Sequence, residues 1–145
     1  MSYKLDHVGH VVRNLEEGMK LYEKLGLIPG KRLEFPEFGA RMVFYPFAGI
    51  DIELIEPGGL KGDPAARCLK ERGEGLFHIS VLTDDLDAEM KALREKGFTV
   101  DEYTHLQPES ELPVRLAFLS PEETNGLWIE FMQASRDPIF NTHKT

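Results

Sequence analysis

Cysteine is almost absent: the chain has one, Cys68. An internal disulfide framework is therefore excluded, as is any zinc or iron–sulfur site built from several thiolates. Any metal has to be held by histidines and carboxylates. Long apolar runs are missing as well. The most apolar window, Met42 to Ile50, is interrupted by Pro46 and Gly49, far short of the roughly 20 apolar residues of a membrane helix. The opening Met1-Ser2-Tyr3-Lys4-Leu5-Asp6 has no apolar signal core, so a cytoplasmic protein is expected. Positive charge is scarce: 17 Lys and Arg face 25 Asp and Glu, a net charge of −8. Such a surface repels nucleic acid and anionic lipid, and neither is expected as a partner. There is no Gly-rich phosphate loop and no Ser-His-Asp order. What remains is enough for a core: 145 residues, 41% hydrophobic and 10% aromatic, which suits one globular domain.

The chain repeats itself. At a shift of 71 residues His7 meets His78, Leu15 meets Leu86, Met19 meets Met90 and Gly26 meets Gly97, while Glu16 meets Asp87. Further on, Arg41 and Phe44 meet Arg115 and Phe118 at a shift of 74, and Ile52-Glu53-Leu54 meets Ile129-Glu130-Phe131 at 77. The growing shift places longer loops in the second copy.

Both copies predict the same elements. Leu5 to Val12 and Phe77 to Leu82 read as strands. Helices follow over Leu15 to Leu25 and Leu86 to Lys96, with Asn14 and Asp85 at the N-cap positions and Gly26 and Gly97 just past the ends. Three extended segments come next in each copy: Lys31 to Phe35, Arg41 to Tyr45 and Ile50 to Ile55, then Thr99 to Tyr103, Val114 to Leu119 and Leu127 to Met132. The unit is βαβββ, twice, an α+β fold in one domain. Module 1 covers about 3–57, a linker about 58–75 with a short helix over Pro64 to Arg72, module 2 about 76–133, and a tail 134–145.

Strand alternation then sorts the polar residues. Val8, His10 and Val12 share one face of the first strand and His7 takes the other. Phe77, Ile79 and Val81 form the apolar face of its counterpart, opposite His78 and Ser80. Glu53 lies opposite Ile52 and Leu54, and Glu130 opposite Ile129 and Phe131. His7, Glu53, His78 and Glu130 thus all turn away from the helices. A lone histidine in a strand is most often structural, but two buried-strand carboxylates each matched by a repeated histidine need a common explanation. Two imidazoles and two carboxylates suit one divalent transition ion, with cobalt, nickel, manganese and zinc all compatible. The other histidines read differently: His10 as a core or helix contact, His105 and His143 as solvated loop and tail residues. Cys68 reads as a packing residue.

These residues resemble the vicinal oxygen chelate superfamily, in which two βαβββ modules form a cup-shaped mixed sheet around a divalent metal. The resemblance runs from about residue 3 to residue 133. It is carried by Leu5-Asp6-His7-Val8-Gly9, Asp51-Ile52-Glu53-Leu54-Ile55-Glu56-Pro57, Arg72-Gly73-Glu74-Gly75-Leu76-Phe77-His78-Ile79 and Gly126-Leu127-Trp128-Ile129-Glu130. Within the superfamily the chain is most similar to the methylmalonyl-CoA epimerases, through residues 71–78 and Pro36-Glu37-Phe38-Gly39. The resemblance implies metal ligands at His7, Glu53, His78 and Glu130, acid/base catalysis by Glu37 and Glu130, and an acyl-CoA or other thioester substrate. Many epimerases carry glutamine at the Glu53 position whereas glyoxalases carry glutamate. A glyoxalase I-like isomerase of a glutathione hemithioacetal is therefore the alternative, and a non-catalytic ligand-binding protein of the same fold stands behind it. An iron-dependent dioxygenase would use two histidines and one carboxylate, and the fourth donor argues against that. Exposed sheet edges predict a two-fold homodimer.

Overall fold

The computed structural model describes residues 3–36, 39–106 and 113–133. The first unit is β1 (Lys4–Val11), α1 (Leu15–Lys24), β2 (Arg32–Phe35), β3 (Ala40–Phe47) and β4 (Ile50–Glu56). After α2 (Pro64–Arg72) the order recurs as β5 (Gly75–Thr83), α3 (Leu86–Glu95), β6 (Asp101–Leu106), β7 (Pro113–Leu119) and β8 (Trp128–Gln133). A single 3-10 turn over Pro121–Glu123, which local pattern did not announce, precedes β8.

Local chemistry explains the helix ends. The Asn14 and Asp85 side chains accept from the N–H groups of Glu17 and Ala88 at 2.9 and 3.1 Å, satisfying orphan donors of the first turn. Gly26 and Gly97 have φ of 79° and 98°, and the N–H groups beyond them, of Leu27 and Phe98, return to Tyr22 and Leu93. These are left-handed C-terminal caps that favour glycine. Among the described residues no helix is long and apolar enough to cross a membrane.

The strands form one curled, mixed eight-stranded sheet, a half-barrel, in the order β2-β3-β4-β1-β5-β8-β7-β6. β1 and β5 meet antiparallel at the centre, flanked by parallel β4 and β8 respectively. α1 covers one half of the convex face, over Val12, Val43, Tyr45 and Leu54, and α3 covers the other, over Ala117, Leu119 and Phe131. The concave face holds a third apolar cluster, which joins Ala65 and Cys68 of α2 to Phe44, Phe77, Phe118 and Trp128.

Each helix is also clipped to its own half of the sheet at repeat-related residues. Arg41 bridges Glu16 of α1 and Glu56 of β4, with N···O distances of 2.6 and 2.8 Å, and Glu56 accepts from the first N–H of α1. Arg115 bridges Asp87 of α3 and Glu102 of β6. The matched arginines are thus explained by helix docking.

Two sequence expectations change here. His105 falls within β6, opposite Val114, because β6 and β7 pair as far as Leu106 and Pro113. Phe77 joins the concave cluster instead of the helix side, and the cause is a pair of β-bulges. From Leu5 to His7 two steps on β1 face one on β5, and from Val8 to His10 two steps face three on β5. Asp6 is therefore an extra residue on β1, and β5 carries another beside Phe77 and His78. A bulge suspends strict alternation, so neighbouring side chains turn to the same side.

Candidate metal centre and cleft

The bulges fall beside the repeated histidines, at Asp6 on β1 and between Leu76 and Ile79 on β5, and both imidazoles turn into the cup. His7 Nε2 and His78 Nε2 lie 2.9 Å apart. Glu53 reaches them from β4 at 3.7 and 4.0 Å, and Glu130 from β8 at 3.4 and 3.6 Å. His7, His78 and Glu130 group as metal ligands would, with Glu53 just outside the tightest triad. All four side chains predicted from the repeat converge on one point, and all four are buried.

The neighbours of each histidine differ. Asp6, brought alongside by the bulge, accepts from His7 Nδ1 at 2.9 Å. That bond directs Nε2 toward the centre, the orienting arrangement that commonly surrounds a metal-bound imidazole. His78 has Phe77 where His7 has Asp6, and its ring packs against Phe77 and Phe118. Its Nδ1–Cε1 edge lies against Gly9, where a Cβ would come within 2.4 Å of Nδ1. On β8, Glu130 accepts from the Ser80 hydroxyl at 2.6 Å.

Electrostatics call for a cation at this point. Burial penalises an imidazolium at His7, but Glu53, the Asp6 hydrogen bond and Glu130 outweigh it and bring its pKa up to about 9. Burial and the charge on His7 hold His78 well below the ordinary histidine value. Burial lifts the Glu53 carboxyl to about 7 and raises that of Glu130. The two Nε2 atoms are within hydrogen-bond distance of one another, and both face the two carboxylates. The donor set of two nitrogens and two carboxylates fits a divalent ion.

The centre opens into a cleft walled by both halves of the sheet and by α2. Phe35, Met42, Ile55, Leu116, Phe118 and Met132 supply apolar wall, with Glu53, Asp63, His78 and Glu130 as its charged or titratable members. Among the described residues no lysine or arginine lines it. Tyr103 of β6 closes one side, its hydroxyl donating to the Gly62 carbonyl at 3.1 Å.

The remaining sequence candidates lie elsewhere. His10 is on the helix side, its Nδ1 hydrogen-bonded to the Tyr22 hydroxyl at 2.6 Å. Cys68 is buried in the concave cluster. Glu37 and His143 lie outside the described residues. Asp6, Gly9 and Ser80 were not singled out from sequence. A glycine inside a strand pattern hints at close approach, and the Gly9/Ser80 mismatch in the repeat was visible, but neither announces a partner.

Comparison with known proteins places this geometry. The model of the Glyoxalase/Bleomycin resistance protein/Dioxygenase superfamily matches residues 6–109. The Bacillus subtilis uncharacterized protein YqjC is 30% identical over 137 residues, 92% of this chain and 94% of that one. The ethylmalonyl-CoA/methylmalonyl-CoA epimerase of Cereibacter sphaeroides is 30% identical over 141 residues, 92% and 99% of the two chains. The crystal structure of methylmalonyl-CoA epimerase from Mycobacterium tuberculosis superposes with a TM-score of 0.71 at 26% identity, covering 90% of this chain and 87% of that one.

Proposed function

The chain belongs to the glyoxalase/bleomycin resistance protein/dioxygenase superfamily, and from that premise we propose that it epimerises a 2-substituted malonyl-CoA such as methylmalonyl-CoA. In this reading one divalent ion is held by His7, Glu53, His78 and Glu130. The observation that carries it is the convergence of one histidine and one glutamate from each repeat on a single buried point beside an apolar cleft. The epimerases among its relatives support the substrate class.

The reaction removes a weakly acidic proton from the carbon next to the thioester and returns one on the opposite face. When bound, the ion supplies Lewis acidity toward substrate oxygens, a demand made by the charge that develops on the thioester carbonyl. The cleft offers no cationic side chain among the described residues to do this instead. Glu130, which lines the cleft, takes the proton from C2 as the C–H electron pair moves toward the carbonyl. Glu37, assigned by resemblance, delivers a proton from the other face, so the configuration inverts. Apolar walls keep water from the activated carbon.

The reading is tested in deuterated water with metal-loaded protein and two substrates. Deuterium entering C2 of methylmalonyl-CoA above the protein-free rate, with the thioester intact, is expected. The alternative, a glyoxalase-type isomerase, is favoured by glutamate at position 53. Conversion of the methylglyoxal–glutathione adduct to lactoylglutathione, with no C2 exchange, would replace the epimerase reading with that one. Glu37→Gln is expected to retain metal and lose most epimerisation. An unchanged rate would remove Glu37 from the reaction.

A further inference from the structure

The two halves of the centre are not equivalent, and the difference lies at one repeat-related pair. Gly9 on β1 stands beside Glu53 of β4, and Ser80 on β5 stands beside Glu130 of β8. The shift of 71 that maps His7 onto His78 maps Gly9 onto Ser80. The first half has no room for a side chain there, since a Cβ on Gly9 would strike His78. The second half has room, and it places a hydroxyl.

That hydroxyl is fully buried and donates to Glu130 Oε1 at 2.6 Å, within the range of a charge-assisted O–H···O⁻ bond. Oε1 is also the oxygen that faces both imidazoles, at 3.4 and 3.6 Å. Among the described residues Ser80 is the sole hydrogen-bond donor to Glu130, and no side chain donates in the same way to Glu53. A hydrogen bond directs one carboxylate, and among the described residues none directs the other.

We propose that Ser80 is a positioning residue that holds Glu130 Oε1 toward the histidine pair and so builds the tighter half of the metal centre. The hydroxyl occupies one lone pair of Oε1 and restrains the carboxylate about its terminal torsion, so that the other lone pair would remain available to an ion held by the histidine pair. Glu53, without such a bond, is the ligand that adjusts when a further donor enters the site. The inference rests on the metal reading of the four side chains and does not depend on which substrate is turned over.

The test uses the metal alone. Co²⁺ is titrated into metal-free wild type, Ser80→Ala and Ser80→Thr, with affinity read by calorimetry and ligand geometry by the visible d–d spectrum. Removal of an orienting hydrogen bond is expected to weaken Co²⁺ binding about 10- to 100-fold and to alter the d–d bands in Ser80→Ala, while Ser80→Thr, which keeps the hydroxyl, returns toward wild type. A structural loss alone would lower the melting temperature and leave the spectrum of the bound ion unchanged. Wild-type affinity and spectrum in Ser80→Ala would overturn the role of Ser80 while the metal site stands. A wild type that takes up no Co²⁺ would overturn both.

Discussion

Replacing Gly9 by alanine separates backbone preference from site geometry with one methyl group. Gly9 lies in a strand and its φ is outside the left-handed region, so alanine fits the backbone. Reduced freedom of the unfolded chain would then stabilise the protein by about 0.4–1 kcal/mol. Sterics oppose this. The added Cβ would come within 2.4 Å of His78 Nδ1, 2.6 Å of Cε1 and 3.1 Å of Phe77 Cδ2, roughly 1 Å short of ordinary contact. The imidazole cannot swing freely, because it is buried between the Phe77 and Phe118 rings. Either the ring or the β1/β5 seam must give, at an overpacking cost of about 1–3 kcal/mol. The expected net effect is destabilisation of the metal-free protein. Metal–ligand distances in a well-formed site fall within about 0.2 Å of their ordinary values, so a ring moved by several tenths of an ångström is expected to bind the ion poorly. Thermal melts with and without Co²⁺ read both effects. Wild type is expected to gain about 2.7 kcal/mol at a hundredfold excess over its dissociation constant, and Gly9→Ala to gain little or nothing. Gly59→Ala, where nothing lies within 4 Å, is the control. A Gly9→Ala protein as stable as wild type, with an undiminished metal-induced shift, would refute the reasoning.

Other expectations follow from the neighbouring contacts. Asp6→Ala removes the acceptor that orients His7 and is expected to lower metal affinity about 10- to 100-fold, checked by competition with a chromophoric chelator. His7→Ala and His78→Ala are expected to abolish binding, whereas His10→Gln, on the helix side, leaves it intact; equal losses at all three would contradict the observed faces. The Arg41 guanidinium holds the Glu16 carboxyl down at about 2 and Glu56 below its ordinary value. The folded state therefore binds fewer protons than the unfolded state between about pH 4.5 and 2. Stability present above that window is lost as pH falls through it, and Arg41→Ala should flatten this limb of the melting-temperature profile. Burial holds His10 below its ordinary value of 6.5. Stability should thus fall as pH drops below about 6.5, and His10→Gln should remove that step, read by denaturant unfolding at several pH values.

Much of the molecule was legible in the chain alone. The repeat, the helix caps and the alternation of Ile52, Glu53 and Leu54 or of Ile129, Glu130 and Phe131 are local properties: each depends on residues within a turn or a strand of one another. Applied twice, they led to four side chains that the fold brings within 4.0 Å of a partner. The bulges at Asp6 and beside Phe77 were not legible. They exist only in the register between β1 and β5, strands some 70 residues apart, and they reverse the face that alternation assigns to Phe77 and bring Asp6 onto His7. The need for glycine at position 9 and the bond from Ser80 to Glu130 belong to the same class. Each depends on where a ring or carboxylate from a distant strand comes to rest, and a one-residue change of register would move that group to the opposite face. Periodicity along the chain determined which residues face the centre, and pairing across the sheet decided what each of them touches there.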